Sequence, residues 1–154
     1  RTLIVPGGGP FADAVRDADR IVGLGDDAAH WMAVLAMDQY AELLVTQLPR
    51  GERVASLREA ESALAAGRGP VLAPSRWLCE ADPLPHSWDV TSDSIAAWVA
   101  GEAGASTLIL VNPPGATGAL TDAYFERAMG SGIESVTLTA DRLEELRRSL
   151  VGRV

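Results

Sequence analysis

Short apolar runs alternate along this chain with segments of helical periodicity, and no hairpin signal lies between any two of the runs. That pattern restricts the fold to a mostly parallel sheet covered on both faces by helices, a three-layer αβα arrangement of the α/β class. The runs are residues 2–5, 71–73, 107–111 and 135–139. After the first, Phe11, Ala14, Val15, Ala18 and Val22 recur at helical spacing. Further helices are expected over 28–45, 57–66, 93–100, 121–129 and 141–150, with Ser56 and Glu59 forming a capping box before the third. Arg1 stands directly before the first strand, so an additional N-terminal strand is expected outside this sequence.

The 154 residues suffice for one domain, expected to cover the whole chain. Thirteen basic against twenty-one acidic residues leave a net charge of −8, which repels nucleic acid and anionic membrane surfaces at long range. No apolar run reaches the length of a membrane span, and no leader pattern is visible, so a cytoplasmic location is expected. Cys79 is the single cysteine and cannot form an internal disulfide. With only His30 and His86 besides, no metal-ligand spacing exists and no metal site is expected. All thirteen basic residues are Arg, so chemistry that requires a lysine ammonium has no carrier here.

Three segments stand out as candidates for function. Pro6-Gly7-Gly8-Gly9-Pro10 joins a strand to a helix, where glycines let backbone N–H groups approach an anion, although a tight packing turn explains them equally well. Residues 74–92 form a long connection rich in Pro and Trp, of the kind that builds active sites. It runs into Asp89-Val90-Thr91-Ser92-Asp93, two carboxylates and two hydroxyls around one helix start, preceded by His86 and Trp88. A helix cap accounts for one of these polar residues, not for the cluster. His86, Ser87 and Asp89 do not make a serine hydrolase, because there is no nucleophile elbow. His30, beside Trp31, is expected to be a core residue. The 28–45 helix is apolar around most of its girth and is expected to contribute to a homo-oligomer interface, unless both sides are covered within one subunit, for instance by a terminal helix carrying Leu143, Leu146 and Leu150.

These residues resemble the amino acid kinase superfamily, whose members transfer the ATP γ-phosphoryl group to a carboxylate, phosphate or carbamate. Residues 5–12 look like its second glycine loop and residues 91–97 like its helix-opening motif. The runs 30–40 and 82–93 are similar to the aminomethylfuran phosphate kinases of methanofuran biosynthesis, and the resemblance weakens beyond about Ala100. It implies the carbamate kinase-like fold, with residues 1–100 as the acceptor half and 101–154 as an incomplete nucleotide half.

The resemblance implies that Gly7, Gly8 and Gly9 hold the phosphate of a small acceptor and that Asp93 orients a catalytic lysine. Acceptor binding would extend to His86, Trp88, Asp89, Thr91 and Ser92, with a cationic amine received by Trp88 together with Asp89 or Asp38. ATP is the implied phosphoryl donor, with Mg²⁺ carried on its phosphates. The family's lysines are absent, one expected before Arg1 and one after the 107–111 strand, where Asn112-Pro113-Pro114 stands instead. Two other readings stay open: a non-catalytic anion-binding, storage or regulatory protein of the same fold, and a uridylate kinase-like enzyme.

Overall fold

The computed structural model describes residues 1–142 together with Glu144, Arg147 and Arg148. The expected terminal-helix positions Leu143, Leu146 and Leu150 lie outside the described residues. The chain divides into two compact units, one from Arg1 to Ser92 and one that starts at Asp93.

The first unit contains α1 (Gly9–Val22), α2 (Asp26–Gln47), β1 (Gly51–Val54), α3 (Leu57–Ala65), β2 (Gly69–Leu72) and α4 (Ser75–Ala81). Its two strands are parallel, in register from Gly51 opposite Gly69 to Val54 opposite Leu72. On the other side of β2, Ile4 makes a parallel bridge to Val71, with its N–H donating to Pro70 O at 3.0 Å and its carbonyl accepting from Leu72 N at 2.8 Å. The strand expected over 2–5 is thus reduced to one bridging residue. Pro6 has no N–H to carry the pairing onward, and Arg1 and Thr2 are exposed.

Val71 and Leu72 are fully shielded from solvent, as expected of a strand paired on both edges. Val71, Ala73 and Ala41 form a core cluster joined by Ile4, Leu44, Val45 and Leu48. Helix α2 packs on α1, α4 and both strands, which is why its sequence is apolar on so many sides. The capping box forms: Ser56 Oγ accepts from Glu59 N at 3.3 Å, and the Glu59 carboxylate accepts from Ala55 N at 2.8 Å.

The second unit contains most of α5 (Ser92–Glu102), then β3 (Thr107–Asn112), a single turn α6 (Phe125–Ala128), β4 (Glu134–Thr139) and a 3₁₀ turn, Ala140–Arg142. β3 and β4 are parallel, from Thr107 opposite Glu134 to Asn112 opposite Thr139. Every strand pairing among the described residues is parallel, and the class is α/β. The helix expected over 121–129 shrinks to four residues, preceded by Asp122, whose carboxylate accepts from Tyr124 N at 3.1 Å and from Ser94 N at 3.0 Å. Among the described residues, no helix is long and apolar enough to cross a membrane.

Candidate functional site

Gly8 is the N-cap of α1, and Gly9 follows at φ 51°. A Cβ on Gly8 would stand 2.4 Å from Ala12 Cβ, so this glycine leaves room for the first turn of its own helix; Ala36 Cβ of α2, at 3.4 Å, would be in ordinary contact. One on Gly9 would meet the Tyr40 ring at 3.0 Å, on a backbone that side chains rarely adopt. Gly7 differs. Its nearest neighbour is Ser92 Oγ, 3.3 Å from where a Cβ would be. Two of the three glycines therefore serve the start of α1 and its packing, and the third brings the loop against a residue of the Asp89–Asp93 cluster.

The segment after α4 is fastened by His86. Its Nδ1 lies 2.7 Å from an Asp27 carboxylate oxygen and its Nε2 2.9 Å from one of Asp82, an arrangement in which the protonated ring donates through both nitrogens. His86 stacks on His30 with centroids 4.2 Å apart and planes 14° from parallel, and the Trp31 ring stands edge-on to both. The hydrogen bond to Asp27, then that to Asp82, holds His86 above the ordinary histidine range. His30 is pushed below it, first by burial and then by the charge of His86. Asp82 supplies its carboxylate from a left-handed backbone, φ 40°. The partners of the imidazole are thus Asp27 and Asp82, and Ser87 Oγ instead accepts from Asp89 N.

This pair predicts a stability optimum. His86 stabilises the fold fully below the unfolded-state pKa of 6.5, and that contribution is lost as pH rises through its higher folded value. His30 acts in the opposite sense, because holding it neutral costs stability as pH falls below 6.5. Thermal melts across the histidine range should peak near pH 6.5 and fall on both sides. His86→Gln should flatten the alkaline limb and weaken the acid limb to the part that burial of His30 supplies.

Trp88 is fixed by its indole N–H, which donates to Asp19 at 2.9 Å. The other oxygen of Asp19 accepts from Leu24 N, also at 2.9 Å, which ties the end of α1 to the same anchor. The Arg16 guanidinium lies 5.2 Å from the Trp88 ring centre. Arg16, Trp88 and Thr91 line an open pocket of about 260 Å³. The place over Trp88 expected for a substrate amine is thus taken by a cation of the chain itself. Asp38, the other expected amine partner, is committed to the first turn of α4, accepting from Ser75 N at 3.0 Å and from Ser75 Oγ. Asp89 is exposed, its N–H donating to Ser87 Oγ at 3.3 Å.

In the second unit, Asp93 lies in the first turn of α5 and is held above the usual carboxylate range by burial and by the like charge of Asp122. The Asp122 backbone N–H donates to it and partly offsets this. Asp122 in turn accepts from Ser94 N at 3.0 Å and from Ser94 Oγ at 2.5 Å. The carboxylate expected to orient a cation therefore faces another carboxylate in this chain.

The sequence did not single out the partners of these candidates, Arg16, Asp19, Asp27 and Asp82 in the first unit and, separately, Asp122 in the second. Only Asp82 left a local trace, four residues before His86, whereas Trp88 and Asp19 are 69 positions apart and His86 and Asp27 are 59 apart.

The chain matches no family model. It is similar to a kinase. Over 99 residues, 64% of this chain, it is 28% identical to the (5-(aminomethyl)furan-3-yl)methyl phosphate kinase of Methanocaldococcus jannaschii. That stretch is 45% of the relative, so the chain spans less than half the length of the protein it matches. The likeness is consistent with the resemblance carried by residues 30–40 and 82–93.

Proposed function

We propose that this chain is the acceptor-binding part of an ATP-dependent phosphotransferase whose acceptor is a small phosphate monoester, an aminomethylfuran phosphate in a methanofuran-type pathway. The observation that carries this reading is the 99-residue similarity to a kinase whose acceptor is such a phosphate. On this reading the two units are parts of one three-layer amino acid kinase domain. Gly7 and Ser92 form the wall beside the acceptor phosphate, and Trp88, Asp89, Thr91 and His86 shape the rest of its site. ATP, with Mg²⁺ on its phosphates, supplies the γ-phosphoryl group. This chain's residues bind and orient the acceptor so that a phosphate oxygen is in line for transfer, the step in which positioning and charge neutralisation dominate.

The test is phosphoryl transfer from ATP by the full-length protein, screened over aminomethylfuran phosphate, uridine monophosphate and acetylglutamate. Turnover of the first alone supports the reading, and turnover of uridine monophosphate alone replaces it with the uridylate kinase one. A second reading, a binding protein of the same fold, draws on the absence of Lys and on the like-charged pair Asp93 and Asp122. It predicts acceptor binding with no transfer by the full-length protein.

We also propose a homo-oligomer. Met32, Leu35 and Leu43 are 38%, 52% and 41% exposed and fall on one stripe of α2. Light scattering at micromolar concentration should give a mass above that of one chain, and Leu35→Glu should shift it to the monomer. A monomeric wild type would contradict the proposal.

A further inference from the structure

We propose that the pocket lined by Arg16, Trp88 and Thr91 takes the anionic end of a small phosphomonoester on Arg16 while the ring of the same molecule rests against Trp88. This rests on the reading of residues 1–92 as the acceptor-binding part and adds to it a residue, Arg16, that selects for charge. A chain with no lysine and a net charge of −8 repels a phosphate dianion. Backbone N–H groups of a glycine loop donate hydrogen bonds but bring only partial positive charge. Arg16 brings it.

The geometry prepares Arg16 for this role. Its NH1 donates to Asp13 at 2.8 Å, one turn earlier on α1, and its guanidinium lies over the indole at 5.2 Å. Two contacts thus hold a planar fork whose five N–H donors suit bidentate binding of a phosphate, and only one of those donors is spent on Asp13. The indole is itself immobilised through Asp19, so neither wall must be ordered when a ligand arrives. Charge complementarity fixes the sign of the ligand: with a cation already over Trp88, the pocket suits an anion and not an amine. Its position suits the acceptor, because Thr91 lines it and the next residue, Ser92, packs on Gly7. The volume, about 260 Å³, accommodates one small ring with one phosphate.

The probe is furfuryl phosphate, titrated into the full-length protein by calorimetry, with furfuryl alcohol and inorganic phosphate as the partial ligands. The expected result is that furfuryl phosphate binds more tightly than either part. Arg16→Gln should weaken it at least about tenfold, the loss of one charge-assisted pair. Arg20→Gln, which removes the same charge one turn further along α1, should leave binding unchanged, as should Arg16→Gln for furfuryl alcohol. Trp88→Leu should weaken furfuryl phosphate and spare inorganic phosphate. Equal binding by wild type and a folded Arg16→Gln overturns the proposal, and so does an equal loss in Arg20→Gln, which would reduce the effect to net charge. Loss of kinase activity in the screen above with these affinities intact would overturn the phosphotransferase reading and leave the pocket standing. Unaltered turnover and KM for the true acceptor in Arg16→Gln would do the reverse.

Discussion

Asp93→Asn is expected to lower turnover of the full-length protein by at least about tenfold while leaving the fold as stable as before or more so. The first half follows from the proposed role, since removing one charge that orients a cation in the transition state costs more than about 1.4 kcal/mol. The second half follows from the structure. Burial and the like charge of Asp122 raise the Asp93 pKa, so the ionised carboxylate costs stability that the folded protein loses as pH rises from 3.8 through the raised value. Asn removes that cost and still accepts the Asp122 N–H. A melting temperature at neutral pH at or above the wild-type value, with turnover down, is the predicted pair of results. Unchanged turnover would reduce Asp93 to a first-turn residue of α5.

Gly8→Val is expected to act mainly on stability. Any Cβ at this position collides at 2.4 Å with Ala12 Cβ in the first turn of α1, and a branched side chain also presses on Ala36, so the start of α1 must distort. Overpacking of this kind costs about 1–3 kcal/mol, each of which lowers the melting temperature of a chain this size by roughly 2–4 °C. Gly7→Ala makes the contrast, because its Cβ meets Ser92 Oγ at 3.3 Å and crowds the proposed acceptor wall without distorting the start of α1. The expected order is an early-melting Gly8→Val and a Gly7→Ala that melts near the wild type but binds acceptor more weakly. A Gly8→Val protein with wild-type stability and no acceptor binding would restore Gly8 to the phosphate cradle.

What could be read from the sequence were features whose cause is local. The Ser56 and Glu59 box and the apolar runs that became β2, β3 and β4 depend on neighbours a few residues away. β1 escaped because only Val54 is buried, while Glu52 and Arg53 face outward to pair with Arg68 at 3.1 Å and Glu42 at 2.7 Å. α4 escaped because prolines bracket it and only Leu78 marks a buried face. The candidate site was half legible. Unusual residue types drew attention to His86, Trp88 and Asp93, but the partners that give them meaning, Asp27, Arg16, Asp19 and Asp122, are ordinary charged residues brought in by the fold. Trp88 shows the consequence: its composition suggested a receiver for a cation, and the structure already places Arg16 there.

Phosphoryl transfer to a phosphate monoester is followed on both partners at once by ³¹P NMR of the full-length protein with ATP, Mg²⁺ and (5-(aminomethyl)furan-3-yl)methyl phosphate. The expected result is that the monoester resonance gives way to a pair of coupled diphosphate resonances as ADP accumulates. A monoester signal that only broadens on binding, with ATP unconsumed, would contradict it.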